Sequence, residues 1–324
     1  MTVVDIMESK CRVCGIMVTY NPDIMALKRA IRSSHGEVDK LIIVDNASSV
    51  LSGNLIRDEV SSYNPKTPTG NSRQFIDVVW NPENLGVPTG INIGIKNAIE
   101  LGFEFILILD QDSFVEKGTV NGLLNDLISL EKKINIGIII PRFMNKPGDT
   151  SSSRFQSMKI KYCNMRGAYK ANGFQEVFFT VNSGMLLRIR TLKKIGGFLD
   201  SYFIDMADEE MCFRLRKNGF KIVIGTIGRI YNECGIVYTK GGISRTITGT
   251  VHAPYRYYYI VRNGLDIAHR YFSTFRKDVM VFCLSNILSI LKDISHHPEK
   301  FKVLRYVFLG VNDFLEGKSG KLLY

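Results

Sequence analysis

Four short runs of apolar residues in the first third of the chain each stop at a polar cluster. Residues 13–19 give way to Tyr20-Asn21-Pro22, and residues 41–44 to Asp45-Asn46-Ala47-Ser48-Ser49. Residues 75–80 lead into Asn81-Pro82-Glu83-Asn84-Leu85-Gly86, and residues 103–109 into Asp110-Gln111-Asp112-Ser113. Apolar runs of this length predict strands covered on both faces, as in parallel sheets. Helix-period segments separate them. Asn21-Pro22 opens one, with Asp23 in its first turn and Leu27, Ala30 and Ile31 on a common face. Ile91, Ile95 and Ala98 or Ile99 mark another, which Gly102 stops. The alternation predicts an α/β fold, a mostly parallel, right-handed central sheet flanked by helices.

Past Ser113 the pattern predicts a helix over about 117–132 and a strand at 136–141. Residues 145–172 are rich in Ser, Gly, Lys and Arg with little periodicity and read as a long functional loop. Residues 176–188 form a strand interrupted by Val181-Asn182-Ser183-Gly184-Met185, small residues that let backbone approach a ligand. A helix is expected from Phe203 through Leu215, ending near Asn218-Gly219. Asp208, Cys212 and Leu215 share one face of it, and Glu210 and Arg214 form a solvated i,i+4 pair. Helix capping and catalysis are both open for Asp205 and Asp208.

The C-terminal stretch 270–324 holds nine Lys/Arg against five Asp/Glu among aromatic and aliphatic residues. Phe301, Leu304, Phe308 and Val311 fall near helical spacing beside Lys300, Lys302 and Arg305. That pattern suits an amphipathic helix on an anionic membrane, or one packed on the protein or on a second copy of it. Residues 279–291 are broken by Ser285, Asn286 and Ser289 and read as too short to span a bilayer. The expected organisation is an N-terminal segment 1–12, an α/β domain 13–265, and a helical, basic extension 266–324.

A net charge of +11, from 42 Lys+Arg and 31 Asp+Glu, implies an anionic partner such as a phosphorylated ligand or a membrane surface. Nucleic acid is disfavoured, because neither zinc-finger spacing nor an RNA-binding signature occurs. The apolar fraction of 45% and charged fraction of 23% are those of a globular protein. Cys11 and Cys14 form a lone C-x-x-C without a second pair, which argues against zinc. Apolar neighbours around Cys14, Cys212 and Cys283 predict reduced, buried thiols and a cytoplasmic protein. The charged N-terminal segment is not read as a signal peptide.

The candidate chemistry lies at the strand ends, where open α/β sheets bind ligands. Asp110 and Asp112 repel each other unless a cation or donors lie between them. A divalent metal carrying phosphate oxygens is one explanation and a solvated turn the other. Convergent polar loops also supply partners for a base, a ribose and a pyrophosphate. No G-x-G-x-x-G follows the first strand and no G-x-x-x-x-G-K-[ST] occurs, so a dinucleotide fold and a P-loop are disfavoured.

Val18-Thr19-Tyr20-Asn21-Pro22, Val44-Asp45-Asn46-Ala47-Ser48, Asn84-Leu85-Gly86 and Leu109-Asp110-Gln111-Asp112-Ser113 occur in an order and spacing that resemble the family 2 glycosyltransferases. The segment from Phe203 to Cys212 and the Tyr257-Tyr258-Tyr259 to Arg262-Asn263 segment complete the likeness, which spans about residues 13–270. More narrowly, the chain is similar to bacterial rhamnosyltransferases that build surface polysaccharides such as O antigen or capsule. The resemblance implies a GT-A fold, inversion at the anomeric carbon, dTDP-L-rhamnose as donor and Mg2+ or Mn2+ as cofactor. It implies a lipid-linked oligosaccharide acceptor and a peripheral place on the inner face of the cell membrane; a homo-oligomer stays open. Asp208 matches the general base. Thr19, Tyr20, Asn21, Asp45, Asn46, Asn84, Gly86, Asp110 and Gln111 fall to the nucleotide sugar, with Asp45 at the base. Gly184, Asp205, His252 and Arg256 fall to the acceptor or donor-sugar side. Asp110 and Asp112 are the implied metal residues. Asn232 is a further candidate where relatives often carry His, with Glu233 as its substitute. A different hexose or galactofuranose on UDP, and a non-catalytic subunit of a glycan-assembly complex, are the alternatives.

Overall fold

The computed structural model describes residues 11–64, 74–144, 170–171, 174–232, 236–242 and 245–323. The main sheet comprises β1 (Val13–Thr19), β2 (Lys40–Asp45), β3 (Ile76–Trp80), β4 (Phe105–Asp110), β5 (Ser113–Val115), β6 (Ile136–Met144), β7 (Lys170–Ala171), β8 (Phe174–Val177), β9 (Leu186–Arg188) and β10 (Lys221–Asn232). Their spatial order is β3-β2-β1-β4-β9-β6-β10-β8-β7, with β5 pairing beside β10. β1 to β4 are mutually parallel, and β2 is buried at every position. β9 runs antiparallel to both of its neighbours, β4 and β6. It can do so because the chain reverses at Asn182-Ser183-Gly184, where the Gly184 N–H donates to the Ile108 carbonyl at 2.7 Å. The small-residue turn read from the sequence thus lies beside the end of β4. β11 (Ile236–Gly242) and β12 (Arg245–Val251) form a separate antiparallel pair.

The helices are α1 (Ile24–Ser34), α2 (Val50–Tyr63), α3 (Val87–Glu100), α4 (Thr119–Leu130), α5 (Ile189–Ile195), α6 (Ala207–Lys217), α7 (Arg256–Tyr271), α8 (Arg276–His296) and α9 (Lys300–Leu315). Asp23 caps α1, its Oδ1 accepting the Ala26 N–H at 2.8 Å, and Leu27, Ala30 and Ile31 are buried as their spacing predicts. α3 lies close over β1 because Gly90 and Gly94 face Val18 and Ile16. A Cβ on Gly94 would stand 2.4 Å from Ile16 Cγ2.

The structure differs from the sequence reading in several places. α2 is an extra helix, which buries only Gly53 and Ile56 and so carries little periodic signal. α6 begins at Ala207 and not at Phe203, for reasons that belong to the site. The Glu210–Arg214 pair is buried rather than solvated, at 2.7 Å, and Glu210 also accepts the Tyr271 hydroxyl. α8 runs 21 residues and is long and apolar enough to cross a membrane by length and composition, beyond the 279–291 stretch. The boundary expected at 265/266 falls inside α7, which is continuous. Cys283 is half-buried, whereas Cys14 and Cys212 are buried, and burial pushes the Cys14 thiol up to about 12. Most of the 145–172 loop, the N-terminal ten residues, Cys163 and the Glu233-Cys234-Gly235 segment lie outside the described residues.

Gly94→Ala sets helix propensity against packing. It gains about 1 kcal/mol of propensity and meets overpacking of about 1–3 kcal/mol. Ile16 is itself fully buried and cannot swing away, so packing wins. We expect a lower urea midpoint at unchanged slope; an unchanged or higher midpoint would show that β1 yields.

Candidate active site

The carboxyl ends of β1, β2 and β4 open into a cavity of about 1130 Å³. One half is lined by Thr19, Tyr20, Asn46, Asn84, Gly86, Asp110, Gln111 and Asp112. A hydrogen-bond network fixes these loops. The buried Asp45 carboxylate accepts Thr19 Oγ1 at 2.8 Å, Ser48 Oγ at 2.6 Å and Ser48 N at 2.8 Å. Ser48 Oγ accepts the Asn21 N–H at 2.8 Å, and Asn21 Oδ1 accepts that of Ser49 at 2.8 Å. Asp45 and Asn21 therefore stand behind the cavity wall and shape it, while Thr19 and Tyr20 reach it. The Tyr20 N–H donates to Gln111 Oε1 at 3.0 Å, tying the first loop to the Asp110–Asp112 turn. Asn46 Nδ2 donates to the Gly86 carbonyl at 2.9 Å, and Asn84 Oδ1 accepts the Gly86 N–H at 3.0 Å.

Asp110 and Asp112 sit on the tight turn between β4 and β5. Ser113 holds it, its Oγ accepting the Asp110 N–H at 2.9 Å and meeting Ser183 Oγ at 2.6 Å. Asn182, next to Ser183, lines the cavity with a buried Oδ1 that has no hydrogen-bond partner among the described residues. Sequence reasoning named the turn around Asn182 but not the residue. Gly184, expected at the sugar side, has φ +78° and packs on Pro141, where a Cβ would lie 2.8 Å from Cγ. It shapes the turn from behind. β10 pairs antiparallel with β5 so that the backbone of Asn232 stands opposite Ser113; its side chain falls outside the described residues. Among the described residues no cluster of three or more His, Cys, Asp or Glu surrounds the two aspartates.

The opposite wall is built on a strained turn. Phe203, Asp205 and Met206 have φ of 58°, 61° and 65°, values that non-glycine residues seldom adopt. Four sets of contacts hold them. The Phe203 carbonyl accepts the Val87 N–H at 2.7 Å, at the start of α3. Gly86, at φ +88°, lies so close there that a Cβ would be 2.4 Å from the Phe203 carbonyl oxygen. Arg256 grips Asp205 with two donors, Nε to Oδ2 at 3.0 Å and Nη2 to Oδ1. Asn263 Nδ2 lies 3.0, 3.1 and 2.9 Å from the carbonyls of Tyr202, Ile204 and Asp205, which it serves as shared donor. Arg262 Nη2 donates to the Ser201 carbonyl at 3.1 Å. The turn consumes the carbonyls a helix would need, so α6 starts only after it. Asp208 then enters the cavity from the first turn of α6, and its carboxylate accepts the adjacent Glu209 N–H at 3.2 Å.

His252, Tyr255 and Arg256 continue this wall, followed by Asn286, Ser289 and Asp293 of α8, Tyr306 of α9, and Lys321. Burial, then the charge of Arg256, hold the His252 imidazole below its ordinary value, so it is neutral near pH 7. The Tyr257 hydroxyl donates to Asp293 Oδ2 at 3.1 Å and orients α8. His252 and Arg256 stand where the sequence reading expected them, in the cavity lining, whereas the contribution of α8, α9 and Lys321 was not read from the sequence. Carboxylates thus enter the cavity from two elements, Asp110 and Asp112 from the turn after β4 and Asp208 from the first turn of α6. Such an arrangement can hold a phosphorylated ligand at one side and take a proton at the other.

A family model described as glycosyl transferase family 2 matches residues 14–196. The chain is 23% identical over 318 residues to dTDP-rhamnosyl transferase RfbF of Shigella flexneri, covering 94% of this chain and 96% of that protein. It is 25% identical over 193 residues to the low-salt glycan biosynthesis hexosyltransferase Agl10 of Haloferax volcanii, covering 57% and 56%. Among solved structures, GalNAc-T7 with UDP, GalNAc and Mn2+ matches at TM-score 0.57 and 13% identity; the match covers 95% of this chain but spans 56% of that one. S. aureus TarS 1–349 with UDP-GlcNAc matches at TM-score 0.50 and 13% identity, covering 95% and 92%.

Asn263→Ala removes the donor shared by the three carbonyls of the strained turn. We expect a loss of about 2–4 kcal/mol in unfolding free energy, since buried acceptors are left unpaired. Asn263→Asp, equal in size but accepting where Asn donates, is expected to cost at least as much. An Asp variant as stable as wild type would show that the amide only fills space.

Proposed function

The chain belongs to glycosyl transferase family 2 and has the GT-A fold, and we propose that it is an inverting rhamnosyltransferase. On this reading it moves L-rhamnose from dTDP-L-rhamnose to a lipid-linked glycan, at the cytoplasmic face of a bacterial membrane. The product enters a surface polysaccharide such as O antigen or capsule. The observation that carries the donor assignment is the likeness to dTDP-rhamnosyl transferase RfbF along nearly the whole of both chains.

The roles follow from position and chemistry. Thr19, Tyr20, Asn46, Asn84, Gly86 and Gln111 line the half of the cavity that takes the nucleotide, with Asp45 and Asn21 fixing their loops. Asp110 and Asp112 fit a hard divalent cation, Mg2+ or Mn2+. Two carboxylates at one strand end suffice for an ion that completes its shell with phosphate oxygens and water. Asn232, whose backbone stands opposite Ser113, is the candidate for one further ligand. The bound ion supplies counter-charge to the leaving diphosphate.

Asp208 is the base. As the acceptor oxygen bonds to the anomeric carbon, its proton passes to the Asp208 carboxylate, and the bond from that carbon to the diphosphate oxygen breaks on the opposite face. Inversion results, and dTDP leaves with the bonding electrons. Arg256 spends its charge on Asp205, so that turn and base keep their place. Neutral His252 and the hydroxyls of Tyr255 and Ser289 suit recognition of an acceptor sugar. A second reading, a UDP-hexose or UDP-galactofuranose donor, draws on the hexosyltransferase relative.

The test is a panel of dTDP- and UDP-sugars offered with Mn2+ or Mg2+ and a lipid-linked glycan to the full-length protein. Metal-dependent transfer from dTDP-L-rhamnose is expected; turnover confined to a UDP-sugar would install the second reading. Asp208→Asn is expected to bind nucleotide as wild type does and to lose about 10²–10⁴-fold in transfer rate. Wild-type transfer by that variant would remove Asp208 from the mechanism.

A further inference from the structure

α8 has two unlike sides. Asn286, Ser289, Ile290 and Asp293 line the cavity, and Asp278, Val279 and Phe282 are buried against the protein. Met280, Leu284, Ile287, Leu288 and Leu291 repeat at i, i+4, i+7, i+8 and i+11, a single stripe, and each is more than half exposed. On α9, Phe301 (88% exposed), Phe308 and Leu315 recur every seven residues and are exposed as well. An apolar stripe of this kind, continued on a second helix, marks an interaction surface.

Its surroundings select the partner. Between residues 276 and 305, Arg276, Lys277, Lys292, Lys300, Lys302 and Arg305 are all exposed. Glu299 is the exposed acid of that stretch and is spent on Lys302, while Asp278 is buried and Asp293 faces the cavity and Tyr257. A second copy of the chain would bring the same cations against these, whereas an anionic lipid surface complements them. We infer that α8 and the exposed side of α9 dock this protein on an anionic bilayer. α8 lies along the surface and does not cross it. Phe282 is packed among Phe179 and Phe213 at 5.7 and 5.8 Å, and a span would drag Lys292 and Asp293 into hydrocarbon.

The consequence for the site deepens the lipid-linked acceptor reading and rests on it. One helix carries both the lipid-facing stripe and part of the cavity wall. Docking therefore sets the cavity within a helix diameter of the headgroups, where a sugar on a lipid carrier is presented.

Full-length protein is sedimented with phosphatidylcholine vesicles and with phosphatidylcholine–phosphatidylglycerol vesicles, without donor or acceptor. We expect binding to the anionic vesicles, weakened at least about tenfold when salt is raised from about 0.1 M to 0.5 M. Leu284→Glu with Leu288→Glu, both exposed and outside the cavity lining, should abolish binding at unchanged thermal midpoint and unchanged dTDP-sugar hydrolysis. Lys292→Glu with Arg305→Glu should weaken binding to anionic vesicles by more than about tenfold. Failure of the wild type to bind anionic vesicles, or wild-type binding by the leucine pair variant, would overturn the inference. So would a dimer in sedimentation velocity that the leucine pair variant splits while vesicle binding persists, since the stripe would then join two copies. A wrong donor or base leaves these outcomes untouched, and lost vesicle binding leaves the donor and base assignments standing.

Discussion

The turn from Phe203 to Met206 is the constraint on which the rest of this cavity depends. Each non-glycine residue at positive φ costs about 1–3 kcal/mol, and three of the four carry that cost. The strain persists because the surroundings over-determine it. One amide, that of Asn263, serves three carbonyls, a guanidinium grips Asp205 from the side, and Phe203 stacks on Tyr259 at 5.4 Å. The turn in turn does two things for the site. It accepts the first N–H of α3, which fixes the Asn84–Gly86 loop, and it delays α6 so that Asp208 arrives at the cavity edge. A relaxed helical Phe203–Met206 would withdraw the carbonyl that Val87 uses and move the start of α6, on which Asp208 sits.

The half of the cavity lined by the strand-end loops is held differently. There Asn21 and Ala47 also sit at positive φ, 43° and 58°, and the loops are held by carboxylate and hydroxyl groups bonded to one another. Asp45 is almost wholly buried, and its carboxylate is satisfied there by three donors from Thr19 and Ser48. Ser113 plays the matching part beneath Asp110, and through Ser183 it couples the carboxylate turn to the one that carries Asn182. Both networks let the residues facing the cavity stay in place while remaining open to a ligand.

This contrast explains what could be read from the sequence. The ends of β1, β2 and β4 were legible because a strand buried on both faces writes a nearly unbroken apolar run, and its end is visible in a single polar residue such as Asp110; β3, at the sheet edge, is only partly buried. α2 was not, since a helix that buries Gly53 and Ile56 alone leaves no period to detect. The start of α6 was misread for a stronger reason. Local sequence favours helix from Phe203 onward, and the opposing interactions come from Asn263 and Arg256, more than fifty residues away. Asn182 and the α8 wall were missed on the same ground, because adjacency across the fold leaves no trace in neighbouring residues.

The family match ends at residue 196, whereas the opposite wall begins at Phe203 and runs to Leu322. The shared part of the chain therefore holds the strand-end loops and the aspartate pair, and the remainder holds Asp208 and the helices around it. On the proposed reading, relatives that keep the first part can bind similar donors and still differ in acceptor, because α7, α8 and α9 build the other face. These helices are not an appendage. α7 runs unbroken through the expected domain boundary, its Arg256 and Asn263 hold the turn that presents Asp208, and Gly320 closes back on Ser201 with an N–H to carbonyl bond of 2.7 Å. On that reading, changing the acceptor face also changes the support of Asp208.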